Sequence, residues 1–161
     1  MYTIYMNIQK IFRDAKKDSE LFEDLNINEL VRSAEKAQYL ENKTMDDLLL
    51  EKKEALEELD IDKATEKLWL KRLNEYRYVK NIYEIHKGKH LRWIRKAQDP
   101  LKLTNGAIVS EVKFLDNGTY IQCNTYQNNV FQIKMDDCIL FQKLTQDELL
   151  ILSIYDHIQT K

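Results

Sequence analysis

Apolar residues recur at every third or fourth position through the first half of the chain, which predicts amphipathic helices. Neither Gly nor Pro occurs before Gly88, and their absence favours helices that are joined by polar caps. A short second helix is predicted to begin at Ser19. The apolar face of the first predicted helix consists of Ile4, Ile8, Ile11, Phe12 and Ala15.

Pairs of residues three positions apart mark the starts of further helices. An Asn or Thr side chain can accept a hydrogen bond from the backbone three residues later, while an acidic side chain at that position reaches back. The last of these pairs opens a C-terminal helix, which is predicted to pack on an end of the β-domain or on the N-terminal helices. The pairs are Asn26 with Glu29, Thr44 with Asp47, and Thr145 with Glu148.

A break is predicted within the helical half at residues 59–62. Asp62 can cap a new helix there and the apolar stripe changes phase, so a turn is favoured over one rod from 45 to 86. The new helix is predicted to continue through Leu68 as far as Tyr83.

After Gly88 the apolar period changes from about 3.6 residues to about 2, which predicts β-strands. Residues 116–118, Asp-Asn-Gly, predict a hairpin turn. In the strand before this turn, Ile108, Val112 and Phe114 are predicted to share one inward face. The predicted strands are residues 90–94, 107–114, 119–124, 130–135 and 138–143.

Five short strands joined by short polar turns can bury one face only by curling into a small barrel. The predicted fold class is therefore α+β: an N-terminal antiparallel helical layer, a five-stranded SH3-like antiparallel barrel and a C-terminal helix. We predict a helical domain at residues 1–87, and a small β-barrel with the C-terminal helix at residues 88–161. Phe131 is predicted to point into the barrel.

The composition is that of an ordinary globular protein: of 161 residues, 43% are hydrophobic and 32% are charged. No apolar run approaches the roughly 18 residues of a membrane span, and the first residues lack the features of a signal peptide. The two cysteines, Cys123 and Cys138, lie in predicted strands, so reduced and buried thiols are expected. These features predict an intracellular protein of the cytoplasm or nucleus, with no membrane partner.

The sequence offers little catalytic or metal-binding chemistry. His86 and His90 have the spacing of two metal ligands on a helical face, but Gly88 separates them and no further ligand follows. Three isolated glycines cannot form a phosphate-binding loop, and neither cysteine lies in a nucleophile motif. We therefore expect no enzyme activity, no cofactor and no metal site.

The charge distribution gives the main functional prediction. Residues 67–102 hold eleven Lys and Arg against three acidic residues, in a chain whose net charge is −2. Clustered positive charge raises the local concentration of anions, so an acidic partner is expected. His90, Arg92 and Lys96 are predicted to share one strand face. The predicted binding residues are Lys87, Lys89, His90, Arg92, Arg95, Lys96 and Lys102.

Two kinds of partner fit this basic stretch. The first is a protein with which the chain assembles. The alternative is a nucleic acid bound without sequence preference, with Trp93, Tyr120 and Tyr126 as stacking platforms. A pI of 6.0 weighs against a dedicated nucleic-acid domain, for which a pI above about 9 is typical. The basic stretch can also pair internally with the acidic N-terminal helices.

Three runs in the second half resemble uncharacterised small proteins of large DNA viruses. The resemblance implies a protein that acts in the infected cell or in the virion, and it implies no catalytic residue. A helical domain followed by a small β-domain is also similar to subunits of the replicative GINS assembly. The runs, within residues 76–152, are YRYVKNIYEIHKGKHLRWIRK, LTNGAIVSEVKFLDNGTYIQC and FQIKMDDCILFQKLTQDELLIL.

Overall fold

The structure, a computed structural model, describes residues 2–18 and 26–160. Its α-helices are α1 (Tyr2–Asp18), α2 (Ile27–Lys36), α3 (Met45–Glu57), α4 (Lys63–Arg72) and α5 (Gln146–Gln159). Its strands are β1 (Tyr76–Val79), β2 (His90–Arg95), β3 (Ala107–Leu115), β4 (Gly118–Asn124), β5 (Val130–Lys134) and β6 (Cys138–Lys143). None of the described helices is both long enough and apolar enough to cross a membrane.

The predicted helix starts are confirmed, except that the helix predicted at Ser19 lies outside the described residues. In each case a side-chain oxygen accepts a hydrogen bond from a backbone N–H three residues later, which satisfies a group that the helix start leaves without a partner. Local sequence therefore sets these boundaries. The acceptors are Asn26 (3.2 Å), Thr44 (3.4 Å), Asp62 (2.7 Å) and Thr145 (3.0 Å).

The predicted turn before Asp62 is also confirmed. α3 ends at Glu57 and α4 begins at Lys63, so the two helices do not form one rod. Leu56 of α3 and Trp69 of α4 belong to one buried apolar cluster.

The N-terminal helices and α5 belong to one compact unit, which comprises the described residues up to Asp47 and those from Thr145 onwards. Ile151, Ile154 and Tyr155 of α5 are buried in one cluster with apolar side chains of α1 and α2. Docking of the C-terminal helix on the N-terminal helices, one of its two predicted positions, is thus confirmed.

A second compact unit, Leu48–Leu144, holds α4, most of α3 and the whole sheet. The domain division predicted between residues 87 and 88 does not coincide with the boundaries of these units. The helices α3 and α4 are grouped with the sheet because their apolar side chains pack against it.

The sheet is antiparallel, six-stranded and open, with the strand order β1-β6-β2-β3-β4-β5. The mixed α+β class is confirmed, whereas the five-stranded SH3-like barrel is wrong. The additional strand is β1, which pairs with β6 along its whole length. Strands β1 and β5 remain as the two edges of the sheet.

The strand β1 lies where the helical spacing predicts a continuation of α4. The helix ends instead at Arg72. Tyr76, Tyr78 and Val79 are residue types that favour strands. Pairing with β6 overrides the helical spacing, because it satisfies the backbone of both strands.

The sheet buries apolar side chains on both faces. One face carries Leu91, Trp93 and Leu140. The other face carries Ile94, Ile139 and Phe141, which pack against apolar side chains of α3 and α4. Only the last residue of β6 is exposed, so the nearly continuous apolar run of this strand is explained by cover on both sides.

A β-bulge in β3 changes which of its side chains face the core. The pairing with β4 shifts register between Val109 and Glu111. Because the extra residue interrupts the alternation, Ile108 and Val112 lie on opposite faces. Phe114, near the hairpin, is 73% exposed. The prediction that Ile108, Val112 and Phe114 form one inward face is therefore wrong.

Lys52 is a buried cation in the middle of α3. Its Nζ donates a hydrogen bond to the carbonyl oxygen of Leu73, directly after α4, at 2.8 Å. Burial lowers the pKa of Lys52 to about 8. A lysine amine at the C-terminal end of a helix supplies a donor where carbonyl groups lack partners, so Lys52 ties α3 to the end of α4.

Both cysteines are buried and neither forms a disulfide bond, as the sequence predicts. Burial raises the pKa of Cys123 to about 12, and burial is also the largest cause of a raised pKa at Cys138. These protonated thiols pack as small apolar side chains and are poor nucleophiles.

Candidate functional site

The seven predicted binding residues lie on β2 and in the segments on either side of it, and they differ in exposure. Five of them, Lys87, Lys89, Arg95, Lys96 and Lys102, are exposed, whereas His90 and Arg92 are half-buried. His90 and Arg95 lie at the two ends of β2, roughly 16 Å apart for a strand that rises about 3.3 Å per residue.

Lys96 lies beyond the end of β2. It belongs to the turn that follows the strand, where its backbone N–H donates to the carbonyl oxygen of Asp137 at 3.0 Å. The prediction that Lys96 shares a strand face with His90 and Arg92 is therefore wrong.

His90 and Arg92 themselves are brought together on one face of the sheet. Leu91 and Trp93 are buried on the opposite face, because side chains alternate along a strand. Nδ1 of His90 lies 2.8 Å from the hydroxyl oxygen of Tyr76, and the two rings meet edge to face with centroids 5.9 Å apart. Tyr76 thereby connects β1 with β2 across β6.

The guanidinium group of Arg92 is held from two sides. Its Nε donates a hydrogen bond to the carbonyl oxygen of Thr104 at 2.8 Å, and its Cζ lies 5.9 Å from the ring centroid of Tyr76. Within the described ranges, no carboxylate oxygen lies within 4.0 Å of its nitrogens. Burial is the main cause that lowers the pKa of Arg92; Tyr76 acts in the opposite direction, and nearby Arg72 lowers it further.

Lys143 adds a cation beside Tyr76, its partner in the pairing of β1 with β6. Nζ of Lys143 lies 3.9 Å from a carboxylate oxygen of Glu75. Both side chains are more than half exposed, so this ion pair contributes at most about 1 kcal/mol. Burial, then Arg92 and Lys143, lower the pKa of His90, so its imidazole is neutral at pH 7. We call Tyr76, His90, Arg92 and Lys143 the Arg92 cluster.

The loop before β3 is pressed against the Arg92 cluster at Gly106, which has a φ of +81°. A Cβ atom there would overlap the carbonyl oxygen of Leu91, and would lie 2.8 Å from Cε1 of His90 and 3.0 Å from Cγ of Arg92. Glycine satisfies both the backbone conformation and the narrow space. The close loop restricts the rotamers of His90 and Arg92 and so preorganises the cluster.

Arg77 and Lys80, two basic residues of the 67–102 stretch, are used inside the molecule. Arg77 is 1% exposed and donates to the carbonyl oxygen of Glu84, and at 3.3 Å to Oε1 of Gln142. Nζ of Lys80 lies 3.8 Å from a carboxylate oxygen of Glu51. Pairing with the acidic N-terminal helices, one of the sequence-based alternatives, is thus seen at Lys80, whereas Arg92 has no such partner among the described residues.

A second group of cations lines a cleft beside β5 with a volume of about 670 Å³. Arg95 and Lys96 border it from the end of β2 and the following turn, and Lys134 borders it from β5. The exposed acids Asp136 and Asp137 also line it. We call this feature the β5 cleft.

The three predicted stacking platforms have different surroundings. Trp93 is buried, with its ring centroid 6.0 Å from Cζ of Arg95, so it cannot stack on an external base. Tyr120 is half-buried in the wall of the β5 cleft. Tyr126 is fully exposed in the loop between β4 and β5. Because they are spread in this way, they do not form a platform together with the Arg92 cluster.

In the part of the chain that the structure describes, no three His, Cys, Asp or Glu side chains come together as ligands for a metal ion. The chemistry that these residues do offer is anion binding by an ordered guanidinium group. Comparisons of the chain with protein-family models, curated proteins and solved structures give no match.

Proposed function

We propose that this protein is a non-enzymatic binding module that assembles with a protein partner by holding an acidic segment of that partner at the Arg92 cluster. The observation that carries the proposal is that Arg92 is held in place without a carboxylate partner among the described residues. Its guanidinium group is fixed by Thr104 and Tyr76, while no described carboxylate lies within 4.0 Å. A fixed guanidinium group suits a carboxylate, which it binds through two parallel N–H···O bonds.

The surroundings of Arg92 favour an incoming anion. Besides burial, nearby Arg72 lowers the pKa of Arg92, so two positive charges repel each other beside the cluster. A bound carboxylate relieves this repulsion. Because the site is half-buried, the attraction is screened less by salt than an attraction between fully exposed charges.

The arrangement favours a short acidic segment over a long polyanion. A phosphate backbone is bound by a row of cations that neutralise successive phosphates. Of the predicted binding residues, two belong to the Arg92 cluster and two to the β5 cleft, and the other three, Lys87, Lys89 and Lys102, belong to neither. Binding of a nucleic acid remains the alternative prediction, and the oligonucleotide experiment described below tests it. The resemblance to viral proteins extends the proposal to assembly in the infected cell or the virion.

Binding of a fluorescein-labelled, Glu-rich peptide, measured by fluorescence anisotropy at low salt, tests the proposal. Arg92→Gln is expected to weaken binding about tenfold or more, since a hydrogen bond to a charged group contributes about 1.5–3 kcal/mol. Arg92→Lys is expected to weaken it as well, because an ammonium group lacks the planar fork. The matched control is Lys53→Gln, which removes an exposed lysine of α3 and should bind as the wild type does.

Binding of duplex and single-stranded oligonucleotides, measured in the same way, tests the alternative that the partner is a nucleic acid. A protein that neutralises about four phosphates of duplex DNA shows a log–log salt slope near about −3.6, or about a hundredfold loss of affinity between about 50 and 200 mM salt. DNA binding with that slope, without peptide binding, would replace the proposal by the nucleic-acid interpretation. Peptide binding that is unchanged in a folded Arg92→Gln variant would show that the Arg92 cluster is not the site.

A further inference from the structure

The strand β5 is an edge of the sheet that lacks the usual protection of edges. Unpaired N–H and C=O groups along an edge can pair with another chain, and proteins usually block them with charges, Pro, bulges or very short strands. Residues 130–133 carry no charge, and only Lys134 at the end of the strand does. Val130 is 61% exposed and Phe131 is 40% exposed. This edge is therefore apolar, accessible and open to pairing.

The strand at the opposite edge of the sheet, β1, is protected against pairing. It has only four residues, of which Arg77 and Val79 are buried. The chain then turns into a short helical segment, Ile82–Glu84, where the carboxylate of Glu84 accepts the N–H groups of Lys80 and Asn81 at 3.0 and 2.5 Å. Backbone groups that follow β1 are thus already satisfied.

The β5 cleft opens beside the unprotected edge. It is lined by Gln132, Ile133 and Lys134 of β5 together with Arg95 and Lys96. Within the described residues, none of these three cations has a carboxylate oxygen within 4.0 Å. With Asp136 and Asp137 included, the lining retains a formal charge of +1.

We propose that β5 binds an extended segment of a partner protein, in which apolar and acidic side chains alternate, as an added strand. The main chain of the segment pairs with the free edge of β5. Because side chains alternate along a strand, its apolar residues lie on the face of Phe131, and its acidic residues lie on the other face, beside Lys134. Arg95 borders the same cleft and adds to the attraction of the acidic residues. This site shares no residue with the Arg92 cluster, so it is independent of the proposed function above.

Charge favours such a segment over a second copy of this chain. Pairing of two β5 strands brings a second set of the same cations, Arg95, Lys96 and Lys134, to one seam, where like charges repel. An acidic segment neutralises them instead. The site thus requires two properties of its occupant: a free strand edge and negative charge.

Short fluorescein-labelled peptides in which Val and Glu alternate test the proposal on the full chain. They are expected to bind by anisotropy and to slow amide hydrogen exchange at residues 130–134 but not at 76–79. Two matched peptides are expected not to bind. In one, Lys replaces Glu; in the other, two adjacent central residues are N-methylated, which blocks pairing along both edges of the peptide.

Variants separate this site from the Arg92 cluster. The double variant Arg95→Gln with Lys134→Gln is expected to weaken binding of the Val-Glu peptide about tenfold or more, because it removes two charge-assisted contacts. The control double variant Lys36→Gln with Lys53→Gln, at exposed helix positions, should bind as the wild type does. The slowing of amide exchange at residues 130–134 by this peptide should be unchanged in Arg92→Gln, because that measurement reports on β5 alone.

Each of the following results would overturn the proposal. They are absence of peptide binding, equal binding of the Lys-containing or N-methylated peptide, protection of β1 in place of β5, and unchanged affinity in the Arg95 and Lys134 variant. Protection of β5 without any peptide, in a protein that sediments as a dimer, would assign the edge to a second copy and would also overturn it.

Discussion

The strands β5 and β6 have similar sequences and opposite surroundings. β5 reads VFQIK and β6 reads CILFQK, so each places Phe-Gln shortly before a lysine. Phe141 and Gln142 of β6 have no exposed surface, whereas Phe131 and Gln132 of β5 are exposed. β6 lies between two strands with both faces covered, and β5 has one neighbour. The same residue types therefore stabilise the fold in one strand and remain available for binding in the other.

The largest expected effect is on the free energy of unfolding, which should differ between variants of the two phenylalanines. Phe141→Ala should lower the free energy of unfolding by about 3–5 kcal/mol, because it leaves a cavity between the sheet and α3 and α4. Phe131→Ala should lower it by only about 1–2 kcal/mol, because its ring is partly exposed and meets Trp93 with centroids 6.4 Å apart. Urea denaturation of both variants measures the difference. Equal losses of unfolding free energy in the two variants would show that the two rings contribute equally to the core.

The glutamines should differ by a smaller amount. Oε1 of Gln142 accepts a hydrogen bond from the N–H of His86 at 2.7 Å, and its Nε2 donates to the carbonyl oxygen of His86 at 2.8 Å. Gln142→Ala leaves these groups without partners and should lower the free energy of unfolding by about 1–3 kcal/mol. Gln132→Ala, at an exposed position, should stay within about 0.5 kcal/mol of the wild type. A loss at Gln132 as large as that at Gln142 would show that the β5 edge is already covered.

The last expected effect depends on pH and concerns Lys52, which holds together the two helices that cover Phe141. Its folded pKa of about 8 lies below the ordinary value of 10.5. Between these pH values the unfolded chain binds a proton that the folded chain has lost, so the stability contributed at this residue rises with pH from 8 to 10.5. The free energy of unfolding of the wild type should therefore rise over this range relative to Lys52→Met.

The exposed neighbour Lys53 provides the control for this pH dependence. Lys53→Met removes the same kind of side chain from an exposed position of the same helix, and its difference from the wild type is subtracted from that of Lys52→Met. Urea denaturation of the three proteins at several alkaline pH values measures both differences. A flat difference for Lys52→Met would mean that the amine of Lys52 titrates as it does in water.

Local patterns in the sequence predict the starts of the helices and most of the strands, because these depend on nearby residues. Caps such as Thr145 with Glu148 need only a backbone N–H three residues away. The hairpin at residues 116–118 likewise forms within its own chain segment, with Leu115 paired with Gly118.

The strand pairing could not be predicted in the same way, because it depends on residues far apart in the chain. The helical spacing of Tyr76 and Val79 is overridden by β6, more than 60 residues later. The sixth strand extends the sheet, whereas short strands, short polar turns and one apolar face predict a barrel. Phe131 and Phe141 could not be distinguished for the same reason: their exposure depends on the neighbours of each strand.

The sequence predicts which residues belong to the candidate site but not the contacts that hold them in place. Clustered Lys and Arg residues identify His90 and Arg92, which do lie together. The partners that fix Arg92, the Thr104 carbonyl group and the Tyr76 ring, come from a loop and from a strand on the far side of β6. Arg77 is buried beside Gln142, and the sequence shows this only once residues 76–79 are recognised as a strand.

The raised pKa values of Cys123 and Cys138 have a practical consequence for anyone who attaches a spectroscopic label to this chain. Maleimides and iodoacetamides react with thiolates, and sequestered thiols of this kind are almost entirely un-ionised near neutrality. A replacement such as Gln132→Cys would therefore be alkylated selectively. Fluorophores or spin probes can follow that solvent-facing position while both native sulfur atoms stay in place.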